Sequence, residues 1–292
     1  MVTGLLLYAA AACAALEQQG REAMSARQFQ VAAAKFQEAV TACPAEPALR
    51  VELASAYFMR LRLKEALAEA DQVLAANPAD AAALKIKGNS TYLLGDSAKA
   101  IDTFIRLLDR HPNDKDGPYM LGRIYYQEGQ VDYAIGQFER SLRVAPDSYK
   151  ALDNLGLCYA AKGDNEKATH YYLSAIRLVE KDHPEYEWPY VNLADLLLKQ
   201  GNSRQSFDAA SLAVKRNPVS PRGFYAGAKA LEQLEKFTES LNWAQRAASL
   251  DPNYADAWYL IARLHRKLGD NEKAEEARQR FVTAKAKQHQ RR

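Results

Sequence analysis

Apolar side chains in this chain recur three and four residues apart, over segments of roughly a dozen positions. They do not alternate, so the elements predicted are amphipathic helices rather than strands. The helical pattern itself repeats. Pro44, Pro78, Pro112 and Pro146 are spaced evenly, every 34 residues; Pro184 follows after 38, and Pro218 and Pro252 resume the spacing of 34. The hexapeptide GDNEKA occurs at Gly163–Ala168 and again at Gly269–Ala274. That offset is three periods plus four residues, and the same four-residue insertion, inside RLVEKDHPEYEW, accounts for both irregularities. A period of 34 residues marks an array of helix–turn–helix repeats.

With each repeat numbered so that its proline is position 32, two positions hold only small residues. Position 8 reads Gly20, Ala54, Gly88, Gly122, Gly156, Ala194, Ala228 and Ala262. Position 20 reads Ala32, Ala66, Ala100, Ala134, Ala168, Ser206, Ser240 and Ala274. Two antiparallel helices crossing closely require small side chains where their backbones meet. Larger residues surround the crossing: Leu53, Leu121, Leu155, Leu193 and Ile261 at position 7, and Phe36, Phe104, Phe138 and Tyr172 at position 24. Three repeats break the stripe at position 7, with Gln19, Lys87 and Gly227, and looser packing is expected there. Position 15 is Gly95, Gly129, Gly163, Gly201 and Gly269, suited to a left-handed helix terminator. Asp96, Asp164, Asn202 and Asp270 follow it and are expected to cap the second helix. Each proline at position 32 then ends that helix.

The register resembles the tetratricopeptide repeat family. Its signature of a large residue, Leu-Gly, Tyr, Ala and an aromatic stands here as Leu152, Leu155-Gly156, Tyr159, Ala168 and Tyr172, and in the last repeat as Trp258, Ile261-Ala262, His265 and Ala274. The resemblance covers residues 13–286 in eight repeats, starting near 13, 47, 81, 115, 149, 187, 221 and 255. It implies an all-α fold, a right-handed α-α superhelix. It also implies a concave groove lined by positions 2, 5, 9, 12 and 13 of each first helix. Those positions give Lys85, Asn89, Tyr92, Tyr119, Arg123 and Tyr126 in repeats 3 and 4. They give Lys150, Asp153, Trp188 and Asp195 in repeats 5 and 6, and Arg222, Tyr225, Lys229, Tyr259 and Arg263 in repeats 7 and 8. Aromatic and basic residues interleave, and Tyr, Trp and Arg dominate binding energy at interfaces; the alternative for the tyrosines is packing on neighbouring helices. Family members that hold chaperone tails use five donors, of which Lys85, Asn89 and Lys150 match and Met120 and Asn154 do not, so that clamp is not expected here.

The composition, 48% hydrophobic and 26% charged, is that of a folded chain, and the net charge of +3 sets up no strong field towards nucleic acid. The excess lies at the C-terminus, where residues 263–292 carry +6; residues 287–292 form a basic tail. Residues 1–12 fall outside the repeat and read as a leader, short of a membrane span, with Ala12-Cys13-Ala14 suited to cleavage. Export to a bacterial cell envelope is therefore favoured over the cytoplasm, with membrane attachment only if Cys13 is lipidated. Cys13 and Cys43 stand at the adjoining ends of one helix pair and could bridge in an oxidising compartment. Cys158 is expected to be a small buried hydrophobe. The five histidines enter no hydrolase, zincin or phosphate-loop motif. No cofactor, metal or small-molecule substrate is expected. The function implied is a non-catalytic scaffold for a protein or peptide partner; the alternatives are a recruiting arm of an enzyme system and an RNA-binding helical array. The insertion either bends the array and offers a contact, or simply lengthens a second helix.

Overall fold

The computed structural model describes residues 2–183 and 185–289; Met1, Pro184 and residues 290–292, with the expectations that fall on them, lie outside. Among the described residues there are sixteen helices and no strand. They divide into two compact bodies, Met1–Pro146 and Asp147–Arg292. The first holds α1 (Val2–Ser25), α2 (Phe29–Ala42), α3 (Pro47–Met59), α4 (Leu63–Ala76), α5 (Ala81–Leu93), α6 (Ser97–Arg110), α7 (Gly117–Gln127) and α8 (Val131–Val144). The second holds α9 (Tyr149–Ala161), α10 (Asn165–Asp182), α11 (Trp188–Lys199), α12 (Ser203–Arg216), α13 (Pro221–Gln233), α14 (Phe237–Leu250), α15 (Ala255–Lys267) and α16 (Asn271–His289). Within each body every helix packs on the next, and alternate first helices also touch: α3 on α5 and α5 on α7 in one body, α9 on α11, α11 on α13 and α13 on α15 in the other. No helix among the described residues is long and apolar enough to cross a membrane.

All sixteen small residues of positions 8 and 20 are buried. The crossing they form is filled in two ways. Where position 8 is glycine, position 24 is aromatic and its ring lies over the glycine. A Cβ added at Gly88 would stand 2.7 Å from the Phe104 ring, and one at Gly122 2.7 Å from Phe138; Gly20 faces Phe36 and Gly156 faces Tyr172 in the same way. Where position 24 is alanine (Ala70, Ala210, Ala244), position 8 is alanine too (Ala54, Ala194, Ala228). In repeats 6 and 7 the serine at position 20 adds a hydrogen bond across the crossing. Ser206 Oγ donates to the Ala194 carbonyl and Ser240 Oγ to the Ala228 carbonyl, each at 2.7 Å. Repeat 7 also corrects an expectation. Gly227 does not mark loose packing, because Trp243 from α14 fills the space above it. Gln19 is exposed, and Lys87 is half-buried in an ion pair with Asp71 at 2.6 Å.

The glycines of position 15 take positive φ, from 73° to 90°. So do Arg27, Leu61 and Glu235, the residues at position 15 in the three repeats that lack glycine, at 56–58°. The turn is therefore set by the helix pair, at a cost of about 1 kcal/mol for a residue with a Cβ. Asp96, Asp164 and Asp270 accept from the backbone N–H three residues on, at 3.1 Å, as expected of N-caps. Asn202 does not: its side chain makes no cap bond at the start of α12.

The insertion goes into α10, which has 18 residues where the other second helices before α16 have 14. The added turn brings Glu180 within 3.0 Å of the Tyr190 hydroxyl, which donates to it, and within 3.5 Å of Arg216. In the first body Cys13 of α1 and Cys43 after α2 form a disulfide, with their Cα atoms 6.3 Å apart. Cys158 is free and fully buried, and burial pushes its thiol up to about 12.

Candidate functional site

The side chains predicted to bind a partner sit on the first helices, and within each body those helices lie side by side. In the first body Lys85 on α5 is half-buried and reaches Asp116 at 2.9 Å and Asp114 at 3.3 Å. Burial lowers its pKa, and the two carboxylates outweigh this and raise it. It is thus committed within the body, which weighs further against a chaperone-tail clamp. Asn89 and Tyr92 are half-buried on the same helix, and burial raises the Tyr92 hydroxyl. On α7, Tyr119 packs 6.0 Å from the Phe138 ring, centroid to centroid, and Arg123 is exposed with its guanidinium 5.9 Å over Tyr119. Tyr126, two turns on from Tyr119 and about one from Arg123, is half-buried.

In the second body the predicted residues meet one another across successive first helices. Asp195 on α11 accepts from Lys229 on α13 at 2.6 Å. Glu232 on α13 pairs with Arg263 on α15 and with Lys267 at 3.4 Å. Trp188 on α11 carries the Arg222 guanidinium 4.9 Å above its ring. Lys229 lies 5.0 Å over Tyr225, whose ring is 5.1 Å from that of Tyr254. Burial pushes the Tyr225 hydroxyl up to about 12. Tyr259 is exposed, between the Phe281 ring at 5.6 Å and Arg263. Lys150 is exposed on α9 above Tyr149.

Asp153 on α9 is the exception. It is 3% exposed and accepts from Asn192 Nδ2 at 2.9 Å and from the Tyr186 hydroxyl at 3.5 Å. Burial pushes its carboxyl up to about 7, against the pull of those two donors and of Arg222. It is a structural group beneath the face and offers no surface to a partner.

Residue-by-residue reading missed the acidic partners. Glu232 stands at position 12 of repeat 7, inside the register used to pick the others. Asp114 lies in the connection before α7, outside that register, whereas Asp116, just before α7, stands at position 2 of repeat 4, inside it. Asp195 and Lys229 are 34 residues apart, one period, and opposite charges at that offset are a signal for such pairs.

The geometry thus consists of helix pairs exposing a row of aromatic rings and partly paired charges. Models described as tetratricopeptide repeat match residues 17–80, 60–115 and 191–255, with related models on 147–216, 119–148 and 243–276. The CTR9 homolog of Arabidopsis thaliana is 26% identical over 228 residues, which is 76% of this chain and 21% of that one. Lipopolysaccharide assembly protein B of Escherichia coli (strain K12) is 23% identical over 216 residues, 68% of this chain and 52% of that one. The chain therefore spans about a fifth of the first relative and about half of the second. Among solved structures, a tetratricopeptide repeat protein from Parabacteroides merdae is similar with a TM-score of 0.69 and 18% identity, over 87% of this chain and 98% of its own. With its model matched over more than half the residues, the chain belongs to the tetratricopeptide repeat family.

Proposed function

We propose that the chain is a non-catalytic scaffold whose first-helix face forms a concave groove for a protein or peptide partner. The observation that carries this is the row of rings and charges on α11, α13 and α15, where Trp188, Arg222, Tyr225, Tyr259 and Arg263 stand together on one face. Backbone groups in these helices are satisfied internally, so side chains decide what docks, as an extended strand or a helix in a groove. The cell envelope is the proposed place of work. The Cys13–Cys43 disulfide favours an oxidising compartment, and one relative is named for lipopolysaccharide assembly.

The groove is tested by charge reversal of Arg123 with Tyr126→Ala, and separately by Arg222→Glu with Tyr259→Ala, in pull-downs from the native organism. Loss of one specific partner with unchanged helical ellipticity supports the reading; retention in both variants places the partner elsewhere on the protein. The compartment is tested by maleimide-polyethylene-glycol labelling of denatured protein taken from cells. One reactive thiol before reduction and three after it are expected, and three before reduction would remove the argument for export.

A further inference from the structure

Resting on the partner-face reading above, we propose that the Trp188–Arg222 step of the second body receives a carboxylate from an acidic segment of a partner protein. Arg222 differs from three other cations of that face. Lys229 is neutralised by Asp195, and Arg263 and Lys267 share Glu232. Arg222 makes no ion pair within 4.0 Å among the described residues, although it is exposed and stacked on an indole. Asp153, which feels the Arg222 charge, is held by Asn192 and Tyr186 and makes no ion pair with Arg222. A guanidinium stacked on a ring by its flat face keeps its N–H edge free. That edge matches a carboxylate with two parallel hydrogen bonds. The platform also holds the side chain still, so less rotamer freedom remains to be lost on binding.

The charges around it favour the same ligand. Lys150, at the same register two first helices earlier, is exposed over the Tyr149 ring and makes no ion pair among the described residues, and two cations share the single Glu232. The face therefore carries positive charge in excess at separate points. A nucleic acid would need a continuous track of free cations with stacking platforms between them. Here Lys229, Arg263 and Lys267 are internally paired, and the cations left without an ion pair among the described residues, Lys150, Lys199 and Arg222 among them, stand on separate helices, which suits a peptide with spaced acidic side chains.

The probe is a phage-displayed library of random dodecapeptides, panned on the purified full chain at low salt. Selected sequences are synthesised with a fluorophore and titrated against wild type, Arg222→Ala, Arg222→Lys and Lys150→Ala. Enrichment of Asp and Glu is expected. Affinity is expected to fall at least tenfold in Arg222→Ala, to recover only in part in Arg222→Lys, and to fall when the peptide's Glu residues become Gln. Selected peptides without acids, or binding unchanged in Arg222→Ala, would overturn the carboxylate assignment and leave the partner face standing. A library that yields no binder overturns both. A labelled twenty-nucleotide single strand that binds more tightly than the peptides, and needs Arg222, overturns the protein assignment in favour of nucleic acid.

Discussion

Repeats 3 and 4 of the first body and repeats 6 and 7 of the second cross their helices at the same positions with opposite materials. In the first pair, glycine lies under a phenylalanine ring: Gly88 under Phe104 and Gly122 under Phe138. In the second, alanine stands at both positions 8 and 24, and a serine hydroxyl bonds the first helix's backbone at 2.7 Å. One crossing is held by ring volume against a void of matching size. The other is held by close backbone approach with a directional bond. In both solutions the residue at position 8 is matched to the one at position 24: glycine goes with a ring and alanine with alanine.

The largest effect that would break this comparison is Phe138→Ala, expected to destabilise the first body by about 3–5 kcal/mol. Adding Gly122→Ala should return part of that loss by recreating an alanine crossing, whereas Gly122→Ala alone should destabilise; a denaturant cycle in which the two changes merely add would refute volume compensation. Second comes a pH effect confined to the other body. The Asp153 carboxyl, lifted to about 7 by burial, binds its proton more tightly folded than unfolded. Its contribution is present below about pH 4 and is lost as pH rises through 7. Asp153→Asn should therefore gain on wild type by on the order of 2–4 kcal/mol between pH 4 and pH 8. Equal pH curves for the two would show that the carboxyl is not raised. Third, Cys43→Ser should cost the first body about 2–4 kcal/mol, by releasing the 30-residue span that the disulfide closes. Reducing agent should reproduce the loss in wild type and not in the variant. The smallest effect sharpens the serine side: Ser206→Ala and Ser240→Ala should each cost about 1 kcal/mol, the net worth of one hydrogen bond. A neutral result would leave backbone approach alone as the cause of those crossings.

The architecture was legible because its information is periodic. Small residues at positions 8 and 20 and glycine at position 15 are visible on one line of text, and each reports a backbone requirement. What filled the crossings was less visible. Trp243 stands at position 23, one place before the aromatic of the other repeats, and meets a glycine one place early, at Gly227. A column-by-column reading records two defects there, and the structure shows one contact. Asn202 had the right type and place for a cap and makes none, because register fixes a position and leaves the rotamer open. The candidate face was legible as a list and illegible as a network. Which cations are spent in internal pairs depends on partners one turn or one repeat away, so Lys229 and Arg222 look alike in sequence and differ in what they can still hold.

At three of the eight turns within its repeats the chain carries arginine, leucine or glutamate in a left-handed backbone, and Leu61 is largely exposed. Those corners keep their shape whatever side chain they bear. They are natural sites for grafting a fluorophore, an affinity handle or a whole inserted loop, and a 34-residue segment could be duplicated between two of them without redesigning either joint.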